Sequence, residues 1–173
     1  MTFKNIIRFA CEEYSLELKR LVSGLTDQDR RFVPHPYSHH IDFIVWHIAR
    51  VEDHWINSFA KQDIQIWDDQ NWASKLNLNI NLDEPRSGWG WTIEQVNSMP
   101  KFEFEKLNDY LNQVRGCTDE YIENLNEFDM NSCPDKTMPN YSISQMLAHI
   151  VVEQSQHIGQ ISYIRGMLRG IDG

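Results

Sequence analysis

Cysteine is scarce in this chain: Cys11, Cys117 and Cys133 are three among 173 residues, odd in number and far apart. That excludes a disulfide framework and a thiolate zinc site, and it favours a reducing, cytoplasmic setting. Basic residues are also short, with Lys+Arg 16 against Asp+Glu 25 and a net charge of −9. A protein that binds nucleic acid or an anionic membrane needs a positive surface, so both partners are excluded as general ligands. No apolar run approaches the roughly 20 residues of a membrane span. Glu12 and Glu13 interrupt the opening segment before any long apolar stretch, so no signal peptide is expected. Repeats, a Gly-rich phosphate loop, a Ser-His-Asp order and a basic aromatic stripe are all missing. The hydrophobic fraction of 41% still allows a real core. The length predicts a single domain, 1–173.

What the chain has is helical periodicity. Phe3, Ile7, Ala10, Tyr14, Leu18, Leu21 and Leu25 recur at steps of three and four, the spacing of one helix face. After a polar link broken by Pro34 and Pro36, a second helix is predicted from Ser38 to Ala60, with Ser38 as its N-cap. Its stripe is Phe43, Ile44, His47, Ile48, Val51, Trp55 and Phe59. Between Lys61 and Pro100 the pattern decays into a long connection that holds Trp67, Trp72, Trp89 and Trp91. Short helical turns are expected there, one of them opened by a capping box at Thr92 and Gln95. The alternation Leu76–Leu82 also suits a short strand, but a lone strand has nothing to pair with. Two roles are open to the tryptophans: simple packing of the connection, or a cover over a site.

A third helix is predicted to start near Pro100 and to carry its stripe as far as Phe128. Ser142 and Gln145 form a capping box for a last helix that runs to Gly170 or Gly173. Four long amphipathic helices without convincing strands make an all-α four-helix bundle.

The last helix holds His149, Glu153 and His157, each four residues from the next. At about 100° per residue, Glu153 and His157 lie about 40° and 80° around from His149. That points His157 into the apolar stripe, with Glu153 near it and His149 at its edge. A carboxylate near a core is costly unless a charge, a metal or hydrogen bonds compensate it. A satisfied polar cluster and a metal site are both solutions. On the second helix, His40, His47 and His54 lie near one face, and His47 has the most apolar surroundings. His40 and His54, like His35 and His39, read as loop or edge residues. If the second and last helices are neighbours, His47, Glu153 and His157 compose a two-His, one-carboxylate set with open positions. Zinc, nickel and ferrous iron all suit such donors.

The strings WHIARVEDHW and HIVVEQSQHIGQISYIRGMLRGIDG resemble the DinB/YfiT-like superfamily of metalloenzymes. The resemblance covers essentially the whole chain and is greatest to the branch with mycothiol-dependent maleylpyruvate isomerases. It implies a four-helix bundle that binds a divalent metal through His47, Glu153 and His157. Many relatives carry His at the position of Glu153, and a Glu there is similar to the thiol-dependent isomerase branch. His149 fits the common pattern as a neighbour of the ligands. The implied function is a metal-dependent transferase, isomerase or hydrolase acting on a small molecule, with a low-molecular-weight thiol in some members. Relatives often pair their bundles, so a homodimer is an implied arrangement. A non-catalytic bundle that binds metal or a small ligand in stress response is the alternative. Arg50, Glu52 and Arg165 are open to two readings, as helpers of the site or as a solvated helix face. Gly159 is expected to permit close helix packing.

Overall fold

A computed structural model describes residues 3–78 and 87–170. The second half of the predicted alternation at Leu76–Leu82 lies outside the described residues; its start, Leu76 to Leu78, leaves a helical turn and forms no strand. Among the described residues the secondary structure is entirely helical. The four long helices are α1 (Phe3–Val22), α3 (Ile41–Asp53), α7 (Phe104–Asn124) and α8 (Ile143–Arg169). Helix α3 continues as a π-helix over His54–Ala60. Short helices α2 (Asp27–Arg30), α4 (Ile66–Asp69), α5 (Trp72–Lys75) and α6 (Ile93–Asn97) occupy the connections. The long helices close a ring in the order α1, α7, α3, α8, each touching the next. Helices α3 and α8 are therefore neighbours, the condition that a shared site requires.

The stripes of α1, α7 and α8 become the buried faces of the bundle, through residues such as Leu18, Leu107, Val114, Ile150 and Ile161. Helix α3 differs, because every residue from Ile41 to Asp53 is buried. It is covered on one side by the bundle and on the other by the long connection, whose Trp67 and Trp72 are also buried. Both predicted capping boxes form, at Thr92–Gln95 and Ser142–Gln145.

Three boundaries differ from expectation. Ser38 does not cap α3, because its hydroxyl turns back to the carbonyl of His35 at 2.9 Å. His40 takes the cap, its Nδ1 accepting the Phe43 amide at 3.0 Å. It is therefore buried and not an edge residue. Burial, helped by the charge of Arg31, holds its pKa down to about 3, so the ring stays neutral and able to accept. Helix α7 begins at Phe104 and not near Pro100, because Met99 and Phe102 first bury themselves as part of the connection. It ends at Asn124, where Leu125 turns to extended backbone, and Phe128 is left 96% exposed on a 3-10 turn.

Candidate metal centre

The bundle brings His47 of α3 together with Glu153 and His157 of α8. One ligand atom from each lies within 4.8 Å of the other two. His47 Nε2 is 3.6 Å from Glu153 Oε1, and His157 Nε2 is 3.9 Å from the same oxygen. The two imidazoles meet edge to face with ring centroids 4.7 Å apart.

The other ring nitrogens decide what these atoms can do. His47 Nδ1 lies 2.6 Å from the Ser87 carbonyl oxygen, and His157 Nδ1 lies 3.0 Å from Gln160 Oε1. Both partners are carbonyl oxygens and can only accept, so each Nδ1 carries the proton. Each Nε2 is left as a lone pair aimed at a carboxylate. Three electron-rich atoms thus converge, an arrangement that needs a proton or a cation between them. Outer hydrogen bonds of this kind are what fix the tautomer of a metal-binding histidine. The donor set therefore fits a divalent cation.

His149 does not join the three. Its Nε2 donates to the other oxygen of Glu153 at 2.8 Å, and its ring leans on Trp55 at 5.2 Å. It orients the carboxylate. Burial works against the charge on Glu153, but the surrounding histidines, with His149 donating to it, outweigh burial and bring its pKa down to about 2. The carboxylate is ionised at neutral pH.

The cluster opens into a cavity of about 480 Å³, walled by Phe43, Trp89, Val152, Gln156 and His39. Partial burial, then the nearness of His47 and His157, lowers the pKa of His39 below its ordinary value. A larger cleft of about 750 Å³ lies between α1 and α7, near Arg8, Leu111 and Arg115. The three clustered side chains take no part in it.

One wall of the cavity is a turn from Ser87 to Trp91. Gly88 has φ +88°, and a Cβ there would come within 2.6 Å of Trp46 Cζ3 and 3.1 Å of Phe43 Cε2. The backbone therefore lies directly on the two rings, which only glycine allows. This close approach places the Ser87 carbonyl on His47. Gly88→Ala is expected to cost about 2–3 kcal/mol, from the strained φ and the overfilled contact. Urea unfolding will measure it, and a loss below 1 kcal/mol would show that the turn can move away.

For Arg50 and Glu52 both envisaged roles are replaced, while half-buried Arg165 makes a contact at a helix end. Arg50 and Glu52 are 1% and 0% exposed, so neither lies on a solvated face. Glu52 accepts from Tyr14, Thr118, Gln154 and Arg115, while Arg50 donates to Tyr110 and pairs with Asp53. Asp53 in turn accepts the amides of Ile66 and Trp67 and pins the connection to α3. Arg165 donates to the Leu21 and Ser23 carbonyls at the end of α1. Gly159 does not serve helix packing, since a Cβ there would meet nothing within 4 Å. Gln154, which the helical pattern does not single out, is fully buried and ties α8 to the Ile48 carbonyl at 3.2 Å. Its one sequence signal is its place beside Glu153 on an apolar face. The three cysteines are free and stand apart from the cluster.

No curated protein matches the chain. A crystal structure described as the conserved protein of locus from Enterococcus faecalis superposes with a TM-score of 0.85. It covers 98% of this chain and 99% of that one at 22% identity, a likeness that carries the fold. The mycothiol-S-transferase family matches residues 10–170, a span that contains His47, Glu153 and His157 and all but the first turns of α1. The chain belongs to the mycothiol-S-transferase family, of the DinB/YfiT-like fold.

Proposed function

We propose that the protein is a divalent-metal-dependent thiol transferase that joins mycothiol to a small electrophile. The observation that carries this reading is the pair of Nε2 lone pairs facing one carboxylate oxygen, with both tautomers set by carbonyl partners. His47, Glu153 and His157 would hold the metal, with His149 keeping Glu153 in place. A bound divalent cation lowers the pKa of a thiol and holds the thiolate ready as a nucleophile.

The chain's own residues supply the rest. Phe43 and Val152 give the cavity apolar walls that displace water from a bound electrophile. His39 is neutral at pH 7 because its pKa is lowered, so it can accept the thiol proton. In the overall reaction a carbon–sulfur bond forms, the leaving group departs with the electron pair, and one proton is released. The two-His, one-carboxylate donors suit zinc, nickel or ferrous iron.

Elemental analysis of untagged, chelator-free protein, with an assay of mycothiol conjugation to a haloaromatic electrophile, tests the reading. Stoichiometric divalent metal and conjugation that a chelator stops are expected. Protein without metal, or conjugation indifferent to the chelator, would refute metal dependence. No mycothiol conjugation would refute the transferase assignment.

A further inference from the structure

Of the six tryptophans, Trp46, Trp67 and Trp72 are buried, and Trp55 and Trp91 are partly buried against the core. Trp89 alone is 73% exposed. A single exposed aromatic on a loop is unremarkable in itself. This one lines the cavity that contains His47, Glu153 and His157.

Its backbone is also held firmly. Gly88 lies on Trp46 and Phe43, and the Ser87 carbonyl bonds His47. The Trp91 amide donates to the Gly88 carbonyl at 3.2 Å, and the Trp91 ring packs 5.0 Å from that of Trp46. Both neighbours of Trp89 in sequence are glycines with positive φ. The fold thus fixes the backbone that carries a largely exposed indole at the mouth of the site. An aromatic face presented on a fixed turn binds a flat apolar surface with little ordering cost.

The rest of the wall narrows the ligand. Gln156 and His39 can hydrogen-bond hydroxyl groups. Among the described residues, no Lys or Arg lines the cavity. Such a wall suits a neutral, hydroxyl-rich ring with one apolar face, which is the chemistry of a sugar, better than a polycarboxylate thiol.

We propose that Trp89 is the platform on which the sugar of a glycosylated thiol stacks while its sulfur reaches the His47–Glu153–His157 centre. The inference rests on the thiol-transfer reading above and adds a specificity-determining residue to it. A cavity of about 480 Å³ is large enough for such a ligand.

Calorimetric titration of metal-loaded protein tests it with two probes: mycothiol, and sugar-free N-acetylcysteine amide. Trp89→Ala is expected to weaken mycothiol binding about tenfold, as loss of an aromatic anchor does. Trp89→Phe should keep most of the affinity. Neither variant should alter binding of N-acetylcysteine amide or the melting temperature, since Trp89 is exposed. Unchanged mycothiol binding by Trp89→Ala would overturn the platform and leave the transferase reading standing. Equal losses for both thiols would also overturn it, by assigning Trp89 a structural role. Failure of wild-type protein to bind either thiol would overturn both readings together.

Discussion

His157→Ala is expected to abolish the rise in melting temperature that a divalent metal gives the wild-type protein. A ligand at about a thousand times its dissociation constant stabilises the state it binds by about 4 kcal/mol. For a chain of this size each kcal/mol is worth about 2–4 °C, so the wild-type rise should be roughly 10 °C. Removing one of three donors should eliminate most of it. Without metal the expected result differs in kind. There the imidazole Nε2 only faces Glu153 Oε1 at 3.9 Å, lone pair to lone pair. Its loss should leave the melting temperature nearly unchanged or slightly higher. A matched pair of melting curves, with metal and with chelator, measures both. A large loss in chelator would mean that His157 serves the fold and not a cation. A metal-induced rise that survives His157→Ala would remove His157 from the ligand set.

Arg115→Met is expected to destabilise the protein by about 3–5 kcal/mol, the cost of leaving a buried charge without its partner. Glu52 is fully buried between α1, α7 and α8. Arg115 bridges it to Tyr14 and also bonds Asp119 at 2.8 Å. Tyr14 donates to Glu52 at 2.9 Å and Thr118 does so at 2.5 Å, but neither carries a compensating charge. Burial depresses the Arg115 pKa, yet Glu52 and its neighbours more than reverse this, so the guanidinium stays charged. Burial and the Glu52 charge likewise hold the Tyr14 hydroxyl protonated, well above its usual range. Chemical denaturation gives the loss directly. Combining Arg115→Met with Glu52→Gln should cost far less than Arg115→Met alone, because the stranded charge is gone. A loss below 1 kcal/mol for Arg115→Met would show that water reaches Glu52 and screens it.

The helices were legible because their stripes and caps are local. Ser142 with Gln145, and Thr92 with Gln95, specify helix starts within four residues. The association of His47, Glu153 and His157 was legible for a related reason. Two helical faces each carried a polar group among apolar ones, and only helix adjacency was missing. The surroundings of α3 were not legible. Arg50, Glu52 and Asp53 close an apolar helix and look like a run turning to solvent. Their partners Tyr14, Tyr110 and Arg115 lie 38 to 63 residues away and become visible only in three dimensions. A local competition hid the role of His40, whose neighbour Ser38 is the better cap by residue type. Ser38 was diverted by its bond to the His35 carbonyl. Of the four tryptophans in the connection, Trp67, Trp72 and Trp91 contribute packing, and Trp89 does not. Residue type could not separate them.

The complete enclosure of α3 has a dynamic consequence. A helix with every residue buried from Ile41 to Asp53 cannot fray outward while its neighbours stay in place. Its amide protons should exchange with solvent only when the whole bundle opens. His47 is thus carried on backbone that exchanges among the slowest in the molecule. Glu153 and His157 lie on α8, part of whose surface faces solvent. One donor is anchored to the global unfolding event, and the other two ride on a helix with one face in water. Any adjustment of the centre to different cations would fall to α8.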